Sequence, residues 1–105
     1  MAKVKLSLVA SPTFKATVGI PVPGAKPVPV EFTFKGRSRE AFKEFVDGLG
    51  NRDDVDVILD VASGWDLEDP FTKESVTSLV DNYLGSARAV LEKYFSELTQ
   101  ARQGN

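Results

Sequence analysis

The chain contains no cysteine and no histidine. The first absence excludes disulfides and thiolate nucleophiles, the second removes the usual general base near neutral pH, and together they take away the commonest zinc ligands. No apolar run approaches the roughly 20 residues that span a bilayer. The opening Met1-Ala2-Lys3-Val4-Lys5-Leu6 sets lysines between apolar residues where a secretory signal would build an unbroken core. No membrane partner is expected, and the chain is expected to stay in the cytoplasm of the cell that makes it. Basic charge is not in excess either, with 13 Lys and Arg against 15 Asp and Glu and a net charge of −2. Binding to nucleic acid rests largely on neutralising phosphates with Lys and Arg, so nucleic acid is not an expected partner. A Gly-rich phosphate loop, a serine nucleophile elbow and a Walker-type lysine are all missing. The expectation is a protein that is not an enzyme, uses no cofactor and no metal, and works on other proteins.

What is present is an ordinary globular composition: 105 residues, 42% hydrophobic and 27% charged. One domain over residues 1–105 is expected, with a β-rich part at 1–36, a helical part at 37–102 and a frayed tail at 103–105. Val4, Leu6 and Leu8 alternate with Lys3, Lys5 and Ser7 at the strand period of two, which predicts a first strand. After Ser11-Pro12, the alternating sets Phe14, Ala16, Val18, Ile20 and Val28, Val30, Phe32, Phe34 predict two paired strands. Their connection, Pro21-Val22-Pro23-Gly24-Ala25-Lys26-Pro27, is too long and proline-rich for a two-residue hairpin turn. Pro29 lacks a backbone N–H and marks an edge of the sheet, open to pairing with another chain.

From Ser38 the period becomes helical. Ser38 is a plausible N-cap for a helix whose apolar stripe is Phe42, Phe45, Val46 and Leu49. A second helix begins near Asp53 or Asp54, carries Val55, Ile58, Leu59 and Ala62, and stops at Ser63-Gly64; a loop then runs from Gly64 to Phe71. Thr72 caps a third, with Val76, Leu79, Val80 and Tyr83 at amphipathic spacing. Gly85 interrupts the pattern, and Ser86 caps a final helix with the stripe Ala87, Val90, Leu91, Tyr94, Phe95 and Leu98. The fold class is therefore α+β, an N-terminal antiparallel sheet of two to three strands packed against about four C-terminal helices.

The candidate partner-binding residues are Trp65 and Phe71 flanking an acidic loop, and Tyr83, Tyr94, Phe95 and Leu98 on the last two helices, where shared apolar surface could receive a helical client. Set against this, a stripe of that width more often only fills the core, and loop aromatics often cover helix ends. The acids Asp53, Asp54, Asp56 and Asp60, with Asp66, Glu68 and Asp69, lack the alternating ligands, central glycine and terminal glutamate of a calcium loop. N-capping and a solvated face account for the first four. Acid and base chemistry by Asp66 and Asp69 would need opposed environments and a cleft, which the sequence does not display.

Several ordered motifs bring a family resemblance. Pro12-Thr13-Phe14-Lys15-Ala16-Thr17-Val18, Ile20-Pro21-Val22-Pro23-Gly24 and Val30-Glu31-Phe32-Thr33-Phe34-Lys35 come first. Gly64-Trp65-Asp66, Pro70-Phe71, Asp81-Asn82-Tyr83, Gly85, Ala87-Arg88-Ala89 and Glu97-Leu98-Thr99-Gln100-Ala101-Arg102 follow. Over about residues 12 to 102 this order resembles the tail assembly chaperones of long-tailed bacteriophages and prophages. Leu84 departs from the pattern, standing where many relatives have a proline before the glycine, and allows a softer break between the last two helices. The resemblance implies an assembly factor in the cytoplasm of the bacterial host cell that binds the tape measure protein, keeps it soluble and promotes tail tube assembly around it. It further implies the tail tube protein as a partner, self-association, and in many relatives a longer frameshifted form. The alternative is a structural minor tail or tail-completion protein present in the virion.

Overall fold

The computed structural model describes residues 3–6, 8, 9 and 12–99. Strand β1 (Thr13–Ile20) and strand β2 (Val28–Lys35) pair antiparallel in full register, from Thr13 opposite Lys35 to Ile20 opposite Val28. Alternation explains the pairing: Ala16, Val18, Ile20, Val30, Phe32 and Phe34 all face the core, and the residues between them face water. The loop between the strands contains a turn in which Ala25 N–H donates to Val22 C=O at 3.0 Å. Gly24 has φ 75° there and follows Pro23, the Pro-Gly order that a type II turn requires.

Helix α1 (Arg39–Gly48) is capped by Ser38, whose hydroxyl accepts from Ala41 N–H, and a 3₁₀ turn (Leu49–Asn51) follows it. Helix α2 (Asp54–Val61) is capped by Asp53, which accepts from Asp56 N–H at 2.9 Å. Helix α3 (Lys73–Asn82) is capped by Thr72, which accepts from Ser75 N–H. Helix α4 (Ser86–Thr99) lies along β1, while α2 packs against the sheet and against α3 and α4. The three caps obey the rule that a short side-chain oxygen satisfies an orphan N–H of the first turn.

A third strand exists, but not where alternation places it. Val4, Leu6 and Leu8 stand 92%, 79% and 93% exposed and Lys3–Leu6 form no strand, because alternation gives a strand only when a neighbouring strand supplies its hydrogen bonds. Strand β3 is Ala62–Trp65, antiparallel to β2 through Phe32 opposite Trp65, Thr33 opposite Gly64 and Phe34 opposite Ala62. The sheet order is β1-β2-β3, so β2 is central. Pro29 nevertheless lies at a local edge, since β3 stops short of it. Glu31 directs both its N–H and its C=O to the β3 side, where Asp66 receives them, and the two-residue period turns the Pro29 nitrogen the same way. No ladder bond is lost there.

Four further expectations need correction. Helix α2 ends at Val61, and Ala62 and Gly64 belong to β3, because the chain must turn to meet β2. Val46 is exposed, leaving Phe45 as the buried residue of α1 with Phe42 and, in the following turn, Leu49 half-buried, and in α2 the buried residues are Val57, Ile58 and Val61. Ser86 is the first residue of α4 and not its cap; buried, it donates its hydroxyl to Leu79 C=O at 3.4 Å. Nor is the break before α4 soft: Tyr83 is extended and Ser86 N–H closes a turn onto Tyr83 C=O. Gly85 allows a close approach in that turn, since a Cβ there would stand 3.1 Å from the ring of Pro21 and the ring would have to give way by a few tenths of an ångström. The turn expected at Ser11, the end of the helical part expected to reach 102 and the frayed tail expected at 103–105 lie outside the described residues.

Aromatic rings fill the centre. Phe32 and Phe34 stack at 5.6 Å, and Tyr94 meets Phe34 at 5.4 Å, Phe45 at 6.0 Å and Phe14 at 6.3 Å. Burial of each large ring contributes about 1.5–3 kcal/mol. The Tyr94 hydroxyl donates to Lys35 C=O at 2.8 Å and accepts from Arg37 Nη1 at 2.7 Å. The Arg37 guanidinium lies 4.5 Å above the Phe45 ring and its Nη2 pairs with Asp60 at 2.8 Å. Arg52 holds the other Asp60 oxygen at 2.6 Å. Asp60 is therefore a bridge between β2, α2 and α4 and not simply part of a solvated face.

Burial pushes the Asp60 carboxyl up, and the hydrogen bonds and charges of Arg52 and Arg37 more than reverse this, leaving it below its ordinary value. A carboxylate titrating lower in the folded than in the unfolded chain stabilises above the unfolded value, about pH 4, and that stability is lost as pH falls through the folded value. Asp60→Asn is expected to cost about 1–2 kcal/mol at neutral pH, the partial exposure of the pair keeping it modest. Urea unfolding of parent and variant across pH checks this, with the gap between their midpoints closing below about pH 4.

Candidate protein-binding groove

Beyond the end of β3, the Val28–Val30 half of β2 is left without a neighbour, and α3 stands across the gap. Between them lies an open groove of about 480 Å³, lined by Ile20, Val22, Val28 and Val30 from the hairpin, Trp65 at the end of β3, Leu67 and Asp69 from the β3–α3 loop, Leu79 and Asn82 from α3, and Tyr83 just past its end. The local reasons are visible in sequence terms. Asp66 takes over from β3 by donating its N–H to Glu31 C=O and accepting Glu31 N–H at 2.9 Å, which ends the strand with a side-chain mimic of one more rung. Trp65 then anchors the loop, donating Nε1–H to Asp69 C=O at 2.7 Å and lying edge-on to Phe32 at 5.8 Å and Phe71 at 5.0 Å.

The six candidate residues are not brought together on one surface. Trp65 and Tyr83 line the groove, Tyr83 being 37% exposed, and Phe71 supports Trp65 from behind. Tyr94 is 0% exposed and has no side-chain surface to offer in this conformation. Phe95 packs edge-on against Phe42 at 5.5 Å and Phe45 at 6.2 Å, and lines a smaller hollow of about 330 Å³ between α2 and α4. Leu98 is half-buried against the core. The two hollows differ in charge: the smaller one carries Arg52, Asp54, Arg88 and Glu92, whereas Asp69 is the one charged residue lining the groove.

Val22, Val28, Leu67 and Leu79 are groove residues that the pattern of caps and stripes does not single out as a site. The available signal was apolar residues in hydrophilic surroundings: Val22 among prolines, and Leu67 between Asp66 and Glu68. Asp66 and Asp69 do not form an opposed acid and base pair, since Asp66 is committed to the Glu31 backbone and Asp69 borders the groove. Among the described residues, no group of three or more acidic side chains gathers as a metal site, and no helix is long and apolar enough to cross a membrane.

A sequence model of the family described as phage tail assembly chaperone matches residues 1–105, the whole of the chain. The chain belongs to that family. No curated protein and no solved structure matches it. As a chaperone of phage tail assembly, it joins, among the described residues, a sheet with one apolar face to four helices, with an apolar groove at their junction.

The Trp65 indole anchors the loop that shapes this chaperone's groove. Trp65→Phe removes one hydrogen bond and is expected to lower stability by about 0.5–1.5 kcal/mol. Limited proteolysis should then cut the Leu67–Pro70 stretch faster than in the parent while the helices remain protected.

Proposed function

We propose that this chain binds the phage tape measure protein through the groove between the sheet and α3, holds it soluble in the cytoplasm of the bacterial host, and promotes assembly of the tail tube around it. The observation that carries the reading is the groove itself, an apolar trough on a member of the tail assembly chaperone family. A tape measure protein is long and helical, and an unassembled helix with one apolar face needs that face covered until tube subunits replace the cover. Ile20, Val28, Leu79 and Tyr83 offer aliphatic and aromatic contact, and Asn82, Ser75 and Ser78 line the same trough with groups able to hydrogen-bond a polar flank of the client.

No chemistry on the client is part of this role. Displacement during tube assembly requires binding that can be reversed, and an open groove of modest area suits that better than an enclosed one. The tail tube protein is the partner that would take the client over.

The test is co-expression with a tagged tape measure protein. The parent chain is expected to co-purify with it and raise its soluble fraction. Leu67→Asp combined with Tyr83→Ser, two changes at exposed groove positions, should leave the circular dichroism unchanged and reduce recovery at least about tenfold, the effect of losing about 1.4 kcal/mol of contact. Retention by the doubly substituted chain would overturn the groove as the site. Recovery of the chain as a stoichiometric component of purified virions would instead favour a structural tail protein.

A further inference from the structure

Val4, Leu6 and Leu8 are three aliphatic side chains at strand spacing, almost wholly in water, with Lys3 and Lys5 between and before them. Isolated surface aliphatics are normal, but three at alternate positions of one exposed segment would line up as a continuous apolar edge once that segment is extended against a partner. The groove has matching length. From Trp65, which lies opposite Phe32, to Val28 is four residues along β2, about 13 Å, and the four residues from Val4 to Leu8 span the same about 13 Å once extended.

Charge fixes the direction. Three acids, Asp66, Glu68 and Asp69, are gathered in the loop at the Trp65 end of the groove, while the Val28 end is bordered by Val22, Asn82 and Tyr83 with a single acid, Asp81, beside them. Lys3 and Lys5 therefore belong at the Trp65 end, which places Leu8 at the Val28 end. That arrangement is out of reach within one chain. Leu8 is five residues from Thr13, a span of at most about 18 Å, whereas Val28 lies opposite Ile20, seven residues down β1 and about 24 Å from Thr13.

We infer that Lys3–Leu8 of a second copy of this chain seats in the groove, with Val4, Leu6 and Leu8 on its apolar floor and the two lysines beside the acidic loop. The inference deepens the reading of the groove given above, because an arm and a client would then exclude one another. Copies without a client cover each other's grooves, and a client releases them.

The absence of native cysteine allows a clean test that contains no client, so its result is independent of tape measure binding. Chains with Leu8→Cys are mixed with chains carrying Val28→Cys, and separately with chains carrying Lys15→Cys on the outer face of β1. Disulfide-linked heterodimer is expected at least about tenfold faster with Val28→Cys, because a seated arm raises the local thiol concentration. Equal rates, faster linkage to Lys15→Cys, or an intramolecular disulfide in a chain carrying both Leu8→Cys and Val28→Cys would overturn the proposal. As a second readout, sedimentation should show the parent self-associating and the Val4→Asp, Leu6→Asp, Leu8→Asp chain monomeric with an unchanged circular dichroism spectrum. A monomeric parent would equally overturn it.

Discussion

The Tyr94 hydroxyl sits where the strands, α1, α2 and α4 converge, and it has a partner on each side. It donates to the last carbonyl of β2 and accepts from Arg37, which in turn reaches Asp60 on α2 and lies over Phe45 on α1. A phenol in that position must be hydrogen-bonded, since an unsatisfied buried hydroxyl costs about 1–3 kcal/mol, and satisfying it brings the end of β2 to one fixed place against α4. Burial raises the Tyr94 pKa and the Arg37 hydrogen bond and charge pull only partly against that, so the ring stays neutral. Burial acts to lower the Arg37 pKa, and its contacts with Tyr94 and Asp60 outweigh that and keep the guanidinium charged. Polar partners and aromatic packing thus select the same arrangement, which is the condition for one well-defined core.

The groove follows from that arrangement. With β2 fixed at its Lys35 end, β3 pairs only with Phe32 to Phe34 and the rest of β2 projects past it. Asp66 closes the ladder, Trp65 pins the loop, and α3 is set across the gap by its cap at Thr72 and by Val76 in the core. A chaperone in tail assembly needs apolar surface that its own fold does not consume, and a strand that outruns its neighbour supplies it without leaving a fully free edge. Pro29 completes the device, because the open side of β2 offers no N–H at that position for unwanted strand pairing.

Much of this was legible in sequence wherever the determining physics is local. Ser38, Asp53 and Thr72 cap their helices because a cap involves only the next three residues, and the alternation of Phe14 to Ile20 with Val28 to Phe34 gave the hairpin because each strand was the other's partner. The same alternation at Val4, Leu6 and Leu8 gives no strand, since none of the strands among the described residues pairs with it. Strand β3 was hidden, since Ala62-Ser63-Gly64-Trp65 is short and continues the apolar stripe of α2 without a change of period. Arg37 is separated by 23 residues from Asp60 and by 57 from Tyr94, a distance no periodicity reports. Residue type alone makes each of these aromatics a candidate, and only the fold separates Tyr94 in the core from Trp65 and Tyr83 at the groove.

Hydrogen–deuterium exchange with and without a soluble tape measure segment tests the central claim most directly, because it maps the bound face; the chain used carries Val4→Asp, Leu6→Asp and Leu8→Asp, so that no arm covers the groove beforehand. Binding in the groove predicts slowed exchange at Val28 and Val30, in the loop from Trp65 to Phe71, and at the end of α3 from Leu79 to Tyr83, with α1 and the middle of α4 unchanged. Protection centred instead on α1 and α4 around Phe42 and Phe95, or none anywhere, would contradict it.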